Sequence, residues 1–381
     1  EPYHWEPYHW DAATPSEYQS MLRRHGCTAV PVAGAARRPP DRHQCCSTAD
    51  RHPETGYRRN PRVSRAGVTA VRRLVLRPGN GTGEHRTSLP PVLRVLHDSL
   101  SGGVFTLVGD SVTAQAFHSL VSRARVSKSW RVVMARIPTS NLTAASVSVI
   151  KKSGGHYGFT LELFRCDRAS DFPAMVKAAL KVAPVRYPKS SHNAKLPMPS
   201  PRHIVSINIG LHFTGKKSTT FARDLTILAR RMQLINLLSN HFTFFRDVTP
   251  QHFKPRTGAV HVANTGQFEK RDLAASTCAP ITAKNHDAAV PSVAQGERNR
   301  SSVAHLNSIL YSVAATIGVP VQATHALLTE RHDAHIEARK STSDKFILDC
   351  THWCADVLDV FDVTLADILS RRYGGTTPCA K

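Results

Sequence analysis

Ser111 closes a Gly109-Asp110-Ser111 turn behind the apolar run Val104-Phe105-Thr106-Leu107-Val108, and His352 closes the word Asp349-Cys350-Thr351-His352 near the far end of the chain. A neutral hydroxyl is a weak nucleophile and needs a base within hydrogen-bond reach to take its proton. Asp and His three residues apart on one short segment let the carboxylate hold one ring nitrogen while the other faces the serine. That is the logic of nucleophile, base and orienter in acyl transfer. Ser111, His352 and Asp349 are therefore the candidate catalytic residues. Each has a plainer use: a turn serine, a structural histidine beside Trp353 in a chain with 21 histidines, and an aspartate capping a helix N-terminus.

For these words to meet, the chain must build a sheet whose edge presents the serine. The apolar run ending in the tight turn reads as a strand, and a helical pattern from about Thr113, running on to about Arg125, follows it. That order places Ser111 at the C-terminal edge of a parallel sheet, where open α/β folds put their chemistry. Asp110 caps the helix. Val92–Leu100 is a short amphipathic helix before the strand. Arg131–Ile137, Val147–Ile150, Tyr157–Phe164, Ile204–Ile209, Phe242–Phe245 and Val321–Leu327 read as strands, and Phe221–Leu238 and Ser302–Ile317 as helices. Leu225, Ile227, Leu228, Met232, Leu234, Ile235 and Leu238 fall at helical spacing and predict a helix covering one sheet face. Strands alternating with helices predict an α/β fold with a parallel central sheet wrapped on both faces.

Residues 1–95 are rich in Arg, Pro and His without sustained periodicity, and predict an irregular extension ahead of a catalytic domain at 96–381. The doubled EPYHW at 1–10 reads as a local duplication.

Five blocks in one order resemble the plant trichome-birefringence-like and PC-esterase proteins, a branch of the SGNH (GDSL-type) acyl-esterase superfamily. They are FTLVGDSVTAQAFHSL at Phe105–Leu120, IVSINIGLHF at Ile204–Phe213, FFRDVTPQHF at Phe244–Phe253, LTERHDAH at Leu328–His335 and DCTHWC at Asp349–Cys354. Together they span roughly residues 100–370, and DCTHWC is the most specific. The resemblance implies an SGNH-hydrolase-like three-layer α/β/α fold. It implies an oxyanion hole from the Ser111 backbone N–H, the Gly210 N–H and the Asn208 side chain, although Gly210 also suits a tight turn. Arg246, His252 and His212 become candidates for substrate binding, with Leu211 inserted between Gly210 and His212. Arg246 can equally pair with Asp247 or Asp333. Arg331, Asp333 and His335 read as an internal salt-bridge cluster holding the catalytic loop. After the last Cys, where plant members usually carry Leu-Pro-Gly and Asp-x-Trp, this chain has Ala355-Asp356-Val357-Leu358-Asp359.

Fifty Lys and Arg against 28 Asp and Glu give a formal charge of +22, which would attract polyanions. The excess is scattered Arg rather than basic runs, and no RNA-recognition or zinc-finger pattern accompanies it, so no nucleic-acid partner is expected. Eight cysteines, an even number, suit a disulfide-bearing lumenal or secreted protein. A Cys350-x-His352-x-Cys354 cluster has zinc-ligand types, but a metal-bound His352 could not also serve as base. No metal is expected, and the resemblance implies disulfides bracing the catalytic loop. Sequons at Asn80, Asn141 and Asn299 are compatible with glycosylation. No apolar stretch is long enough to span a membrane, and the resemblance suggests a missing N-terminal anchor and a place in the Golgi lumen or outside the cell.

The expected activity is thus an O-acyltransferase, most simply an O-acetyltransferase. It would move an acyl group from a donor substrate such as an acetyl ester or acetyl-CoA to hydroxyls of a polysaccharide or glycan acceptor, with no cofactor. A carbohydrate acyl esterase would use the same triad with water as acceptor. A catalytically silent polysaccharide-binding protein would fit the charge but has no need of Ser111, Asp349 and His352.

Overall fold

The computed structural model describes residues 3–7, 72–76, 92–100, 102–136, 144–152, 158–166, 170–180, 202–211, 218–252, 260–262, 267–269, 278, 303–331, 335–340, 346–353 and 357–373. In chain order, β1 (Tyr3–Pro7) and β2 (Arg72–Leu76) form an antiparallel ribbon with Trp5 opposite Leu74. Then come α1 (Val92–Leu100), β3 (Val104–Gly109), α2 (Ser111–Val126), β4 (Trp130–Arg136), β5 (Ala144–Lys151), β6 (Gly158–Arg165), α3 (Phe172–Ala179), β7 (His203–Asn208), α4 (Ser218–Leu238) and β8 (Phe242–Arg246). The chain continues through β9 (Val260–Val262), β10 (Gln267–Glu269), α5 (Val303–Ile317), β11 (Val321–Gln322), α6 (His325–Leu328), β12 (His335–Lys340), β13 (Phe346–Trp353) and α7 (Asp359–Tyr373).

The main sheet runs in the order β11-β8-β7-β3-β6-β5-β4. Its members from β11 to β6 are parallel, as alternating strands and helices predict. The β5 strand is antiparallel to both β6 and β4, so the sheet is mixed rather than wholly parallel. The reason lies in the connections. Residues 137–143 and 152–157 are too few for the crossover of a dozen or more residues that parallel neighbours need.

Burial divides the sheet's two faces. Phe105, Leu107, Ile204, Phe242 and Phe244 pack with Leu96 and Leu100 of α1, Phe117 and Leu120 of α2, and Phe361 and Leu369 of α7. On the other face, Val108, Val205, Ile207 and Phe245 pack with Phe172 of α3, Phe221, Leu225 and Met232 of α4, and Leu306 and Leu310 of α5. Helices thus cover both faces of an α/β unit. The α1 helix belongs to this core from Val92 onward. Arg123 near the end of α2 bonds Asp359 and Asp362 of α7. Burial alone would lower its pKa, but the two carboxylates outweigh that and hold the guanidinium charged. This clamp joins two helices of one layer.

Two elements depart from the periodicity. The strand expected over Val321–Leu327 stops after Gln322, and the chain turns into α6. Buried Asp247 causes the turn, accepting from the Thr324 N–H (2.8 Å), the Thr324 hydroxyl (2.5 Å) and the His325 N–H (2.9 Å). On α4 the predicted inner face is only partly buried: Leu225, Leu228 and Met232 face the core, whereas Ile227, Leu234 and Leu238 are exposed.

A second, four-stranded sheet, β12-β13-β10-β9, carries Asp349–Trp353 of the DCTHWC word. None of its strands is evident in the sequence, and β13 pairs antiparallel with both β12 and β10.

Candidate active site

Ser111 is the first residue of α2, immediately beyond the C-terminal end of the central strand β3. The chain leaves β3 toward β6 on one side and β7 on the other, which makes this end a topological switch point. The turn is specified atom by atom. Asp110 is the N-cap, its carboxylate accepting from the Val112 N–H at 2.9 Å and the Thr113 N–H at 3.2 Å. Gly109 must lack a side chain, since a Cβ there would lie 2.2 Å from the Thr113 hydroxyl oxygen and 3.0 Å from the Asn208 Cβ.

His352 reaches the same place from β13. Its Nε2 lies 2.7 Å from Ser111 Oγ, with the imidazole side chain buried and the serine 9% exposed. The strand tip is fastened on several sides. One turn along α2 from Ser111, Gln115 makes a two-bond clamp on the Trp353 backbone, Nε2 donating to its carbonyl at 3.1 Å and Oε1 accepting from its N–H at 3.2 Å. Gln251 Nε2 donates to the Thr351 hydroxyl at 3.1 Å, and the His252 N–H donates to the Cys350 carbonyl at 3.2 Å. A disulfide joins Cys350 to Cys278. Cys350 is therefore engaged in a cross-link rather than in a zinc site, and the cross-link lies two residues from His352; Cys354 lies outside the described residues.

Asp349 lies on β13 three positions before His352, with Glu337 of β12 as its register partner. Its side chain lies outside the described residues, as does all of His212. Among the oxyanion candidates, Gly210 follows β7, and a Cβ there would meet Val248 Cγ2 at 2.1 Å. Asn208 behaves differently from the expectation. Its amide nitrogen carries two hydrogens, and they donate to the Arg246 carbonyl at 3.1 Å and the Asp247 carbonyl at 2.9 Å. In this arrangement it ties the end of β7 to the end of β8 and offers no donor to an oxyanion.

Arg246 and His252, expected to contact substrate, are both buried. Arg246, 2% exposed, lies under the serine turn, donating from Nη2 to the Thr113 hydroxyl at 2.7 Å. Burial lowers its pKa, and Asp110 and Asp247 counter the effect. A charge so enclosed braces the turn. His252 is fully buried, its Nδ1 2.6 Å from His335 Nε2 and its Nε2 2.8 Å from the Thr329 carbonyl oxygen. His335 thus sits in an imidazole pair rather than only in a salt-bridge cluster, and Asp333 lies outside the described residues.

Sequence reasoning overlooked Gln115 as a positioning group, although its spacing of four from Ser111 on a helix was the available signal. It also overlooked the contact between His252 and His335, which no spacing could announce because they lie on separate segments. Among the described residues no group of three or more His, Cys, Asp or Glu is arranged to hold a metal ion, and no helix is long and apolar enough to cross a membrane. No protein-family model matches the chain, and no curated protein matches it significantly.

Proposed function

We propose that the protein is a serine-dependent O-acyltransferase with an SGNH-type fold, related to the trichome-birefringence-like and PC-esterase proteins, that acetylates polysaccharide hydroxyls. The observation that carries this reading is the 2.7 Å contact between His352 Nε2 and Ser111 Oγ at the C-terminal end of the central strand.

In this reading His352 Nε2 takes the proton from Ser111 Oγ as the hydroxyl attacks the donor's acyl carbonyl. Asp349 orients the imidazole and stabilises its protonated form. The tetrahedral oxyanion is met by backbone N–H groups of Ser111 and Gly210. Asp110 already occupies the N–H groups of Val112 and Thr113, and its carbonyl takes that of Ala114, which leaves the Ser111 N–H at the positive end of α2 for this role. Each such donor is worth roughly 3–4 kcal/mol of barrier in acyl hydrolases. Collapse expels the donor's leaving group, which takes the proton from His352, and leaves acyl-Ser111. His352 Nε2 then takes the proton of an incoming sugar hydroxyl, the sugar oxygen attacks the acyl-Ser111 carbonyl, and the imidazolium returns the proton to the departing Ser111 Oγ. No cofactor is required. The Cys278–Cys350 disulfide supports a lumenal or secreted setting, consistent with a Golgi glycan acceptor rather than a nucleic-acid partner.

The test is time-resolved mass spectrometry of the protein with an artificial acetyl ester, with and without xylan or pectin oligosaccharides, beside Ser111→Ala. Acetyl on the Ser111 peptide that moves to sugar is the expected result, with turnover reduced by about 10⁴-fold or more in Ser111→Ala. Acetate release alone would make the protein an esterase. Neither adduct nor turnover across pH would leave a polysaccharide-binding protein.

A further inference from the structure

Behind the Ser111–His352 pair lies a second, fully enclosed pair of imidazoles that the chemistry above does not use. His252 and His335 are both 0% exposed, and three contacts run through them in line. His252 Nε2 lies 2.8 Å from the Thr329 carbonyl oxygen, His252 Nδ1 lies 2.6 Å from His335 Nε2, and His335 Nδ1 lies 3.0 Å from the carbonyl oxygen of His352. A carbonyl oxygen only accepts, so each outer contact requires an N–H on the ring. A neutral imidazole carries one N–H, and both rings have then spent theirs outward. The two inner nitrogens would meet lone pair to lone pair at 2.6 Å, a separation short even for a charge-assisted hydrogen bond and repulsive without a proton between them.

The geometry points to a third proton between these rings: His252 and His335 form a proton-sharing cation that holds the backbone of His352 and so sets the position of the base. The surroundings suit such a charge. The Trp353 ring lies 3.9 Å from the His335 ring at 30°, so indole π-density borders that imidazole, and 5.8 Å from the His252 ring at 86° in an edge-on contact. Ionisable groups on the neighbouring described segments include Asp247 before His252, His325 on α6, Glu330 and buried Arg331 after it, Glu337, Arg339 and Lys340 on β12, and Asp349 and His352 on β13. The pair's effect is mechanical. Charge-assisted donation from the His335 ring to the His352 carbonyl, beside the separate bond from the His252 backbone N–H to the Cys350 carbonyl, fixes two alternate residues of β13. His252 and His335 are positioning residues, and neither touches Ser111.

The proton sharing stands independently of the acyltransfer reading, whereas its effect on turnover rests on that reading. The experiment is nitrogen-15 histidine NMR on the whole protein, in wild type and Ser111→Ala, with the pH profile of acetyl-ester turnover for wild type and His335→Gln. A glutamine amide supplies two neutral donors, one for the His352 carbonyl and one for His252 Nδ1, so it can keep the bonds while abolishing the cation. We expect one strongly deshielded proton near neutral pH that correlates with nitrogens of two imidazoles. It persists in Ser111→Ala and disappears in His335→Gln. We expect kcat/KM to fall roughly ten- to a hundredfold in His335→Gln, the size of effect that slight misplacement of a catalytic group produces, and its alkaline limb to change. Two neutral rings at neutral pH, or a His335→Gln profile superimposable on wild type in size and shape, would overturn the proposal. The shared proton seen in a protein without turnover would uphold the cation and sink the acyltransferase reading instead.

Discussion

Gln115 is not aimed at any reacting atom, yet it aligns the two halves of the site. Its amide meets both backbone groups of Trp353, while one turn earlier on α2 Ser111 meets His352. Two adjacent residues of β13 are therefore registered against two positions on one helix face. Replacing Gln115 with Leu would leave a buried N–H and a buried carbonyl without this partner. We expect a loss of about 2–3 kcal/mol in stability, measured by urea unfolding. A drop in kcat at nearly constant KM would accompany it, because substrate contacts are untouched while the base drifts. Arg246 teaches a related lesson. An arginine in one of the five sequence blocks invites a role in binding, but its bond to Thr113 and the proximity of Asp110 and Asp247 make it a brace for the Ser111 turn.

Among the elements, β13 decides whether a site exists at all. It belongs to the small sheet, not the main one, and must be brought up to the end of β3 from a separate part of the chain. The Cys278–Cys350 disulfide spans a sequence separation of 72 and anchors this strand two residues from His352. By loop-closure entropy a cross-link of that span stabilises by about 4 kcal/mol. The paired variant Cys278→Ser/Cys350→Ser should lower the midpoint of thermal unfolding and reduce acetyl-ester turnover. Differential scanning calorimetry with a parallel activity assay measures both. Loss of stability with full activity would show that the remaining bonds of Gln115, Gln251 and His335 suffice to seat the strand.

Across the whole molecule, the sheet interior contains a polar line that makes stability depend on pH. The Thr106 hydroxyl, on β3, donates to Glu162 of β6 at 3.1 Å and lies 2.8 Å from His203 Nε2 of β7. The His203 N–H donates to His241 Nδ1 at 2.9 Å. Burial, helped by His241, pushes the His203 imidazole from 6.5 down to about 4, and burial raises the Glu162 carboxyl despite the Thr106 bond. For His203 the unfolded chain binds the proton first, so this contribution is complete above pH 6.5 and drains away as pH falls toward 4. Glu162 acts in the opposite sense, favouring the fold when protonated and losing that advantage as pH rises through its elevated value. His203→Gln isolates the first effect. Relative to this variant, the wild type should lose about 2 kcal/mol between pH 7 and pH 5, read from urea unfolding at the two pH values. An unchanged difference would place the titration elsewhere.

Pieces whose cause is local can be read from the residues alone. Apolar runs and helical spacing announce α1, β3, α2, β7, β8 and α5 within a residue or two, and Asp110 caps α2 because its carboxylate reaches N–H groups only two and three residues ahead. Ser111 and His352 were legible as a pair through residue type and word. What the tertiary structure decided are the relations between distant segments. The inner and outer faces of α4, the antiparallel edge formed by β4 and β5, the early stop of β11 at Asp247, and the engagement of Asn208, Arg246 and His252 with backbone or buried partners all depend on which surfaces meet. A side chain's type states which bonds it can make; only packing settles which partner is within 3 Å and whether water can compete for it.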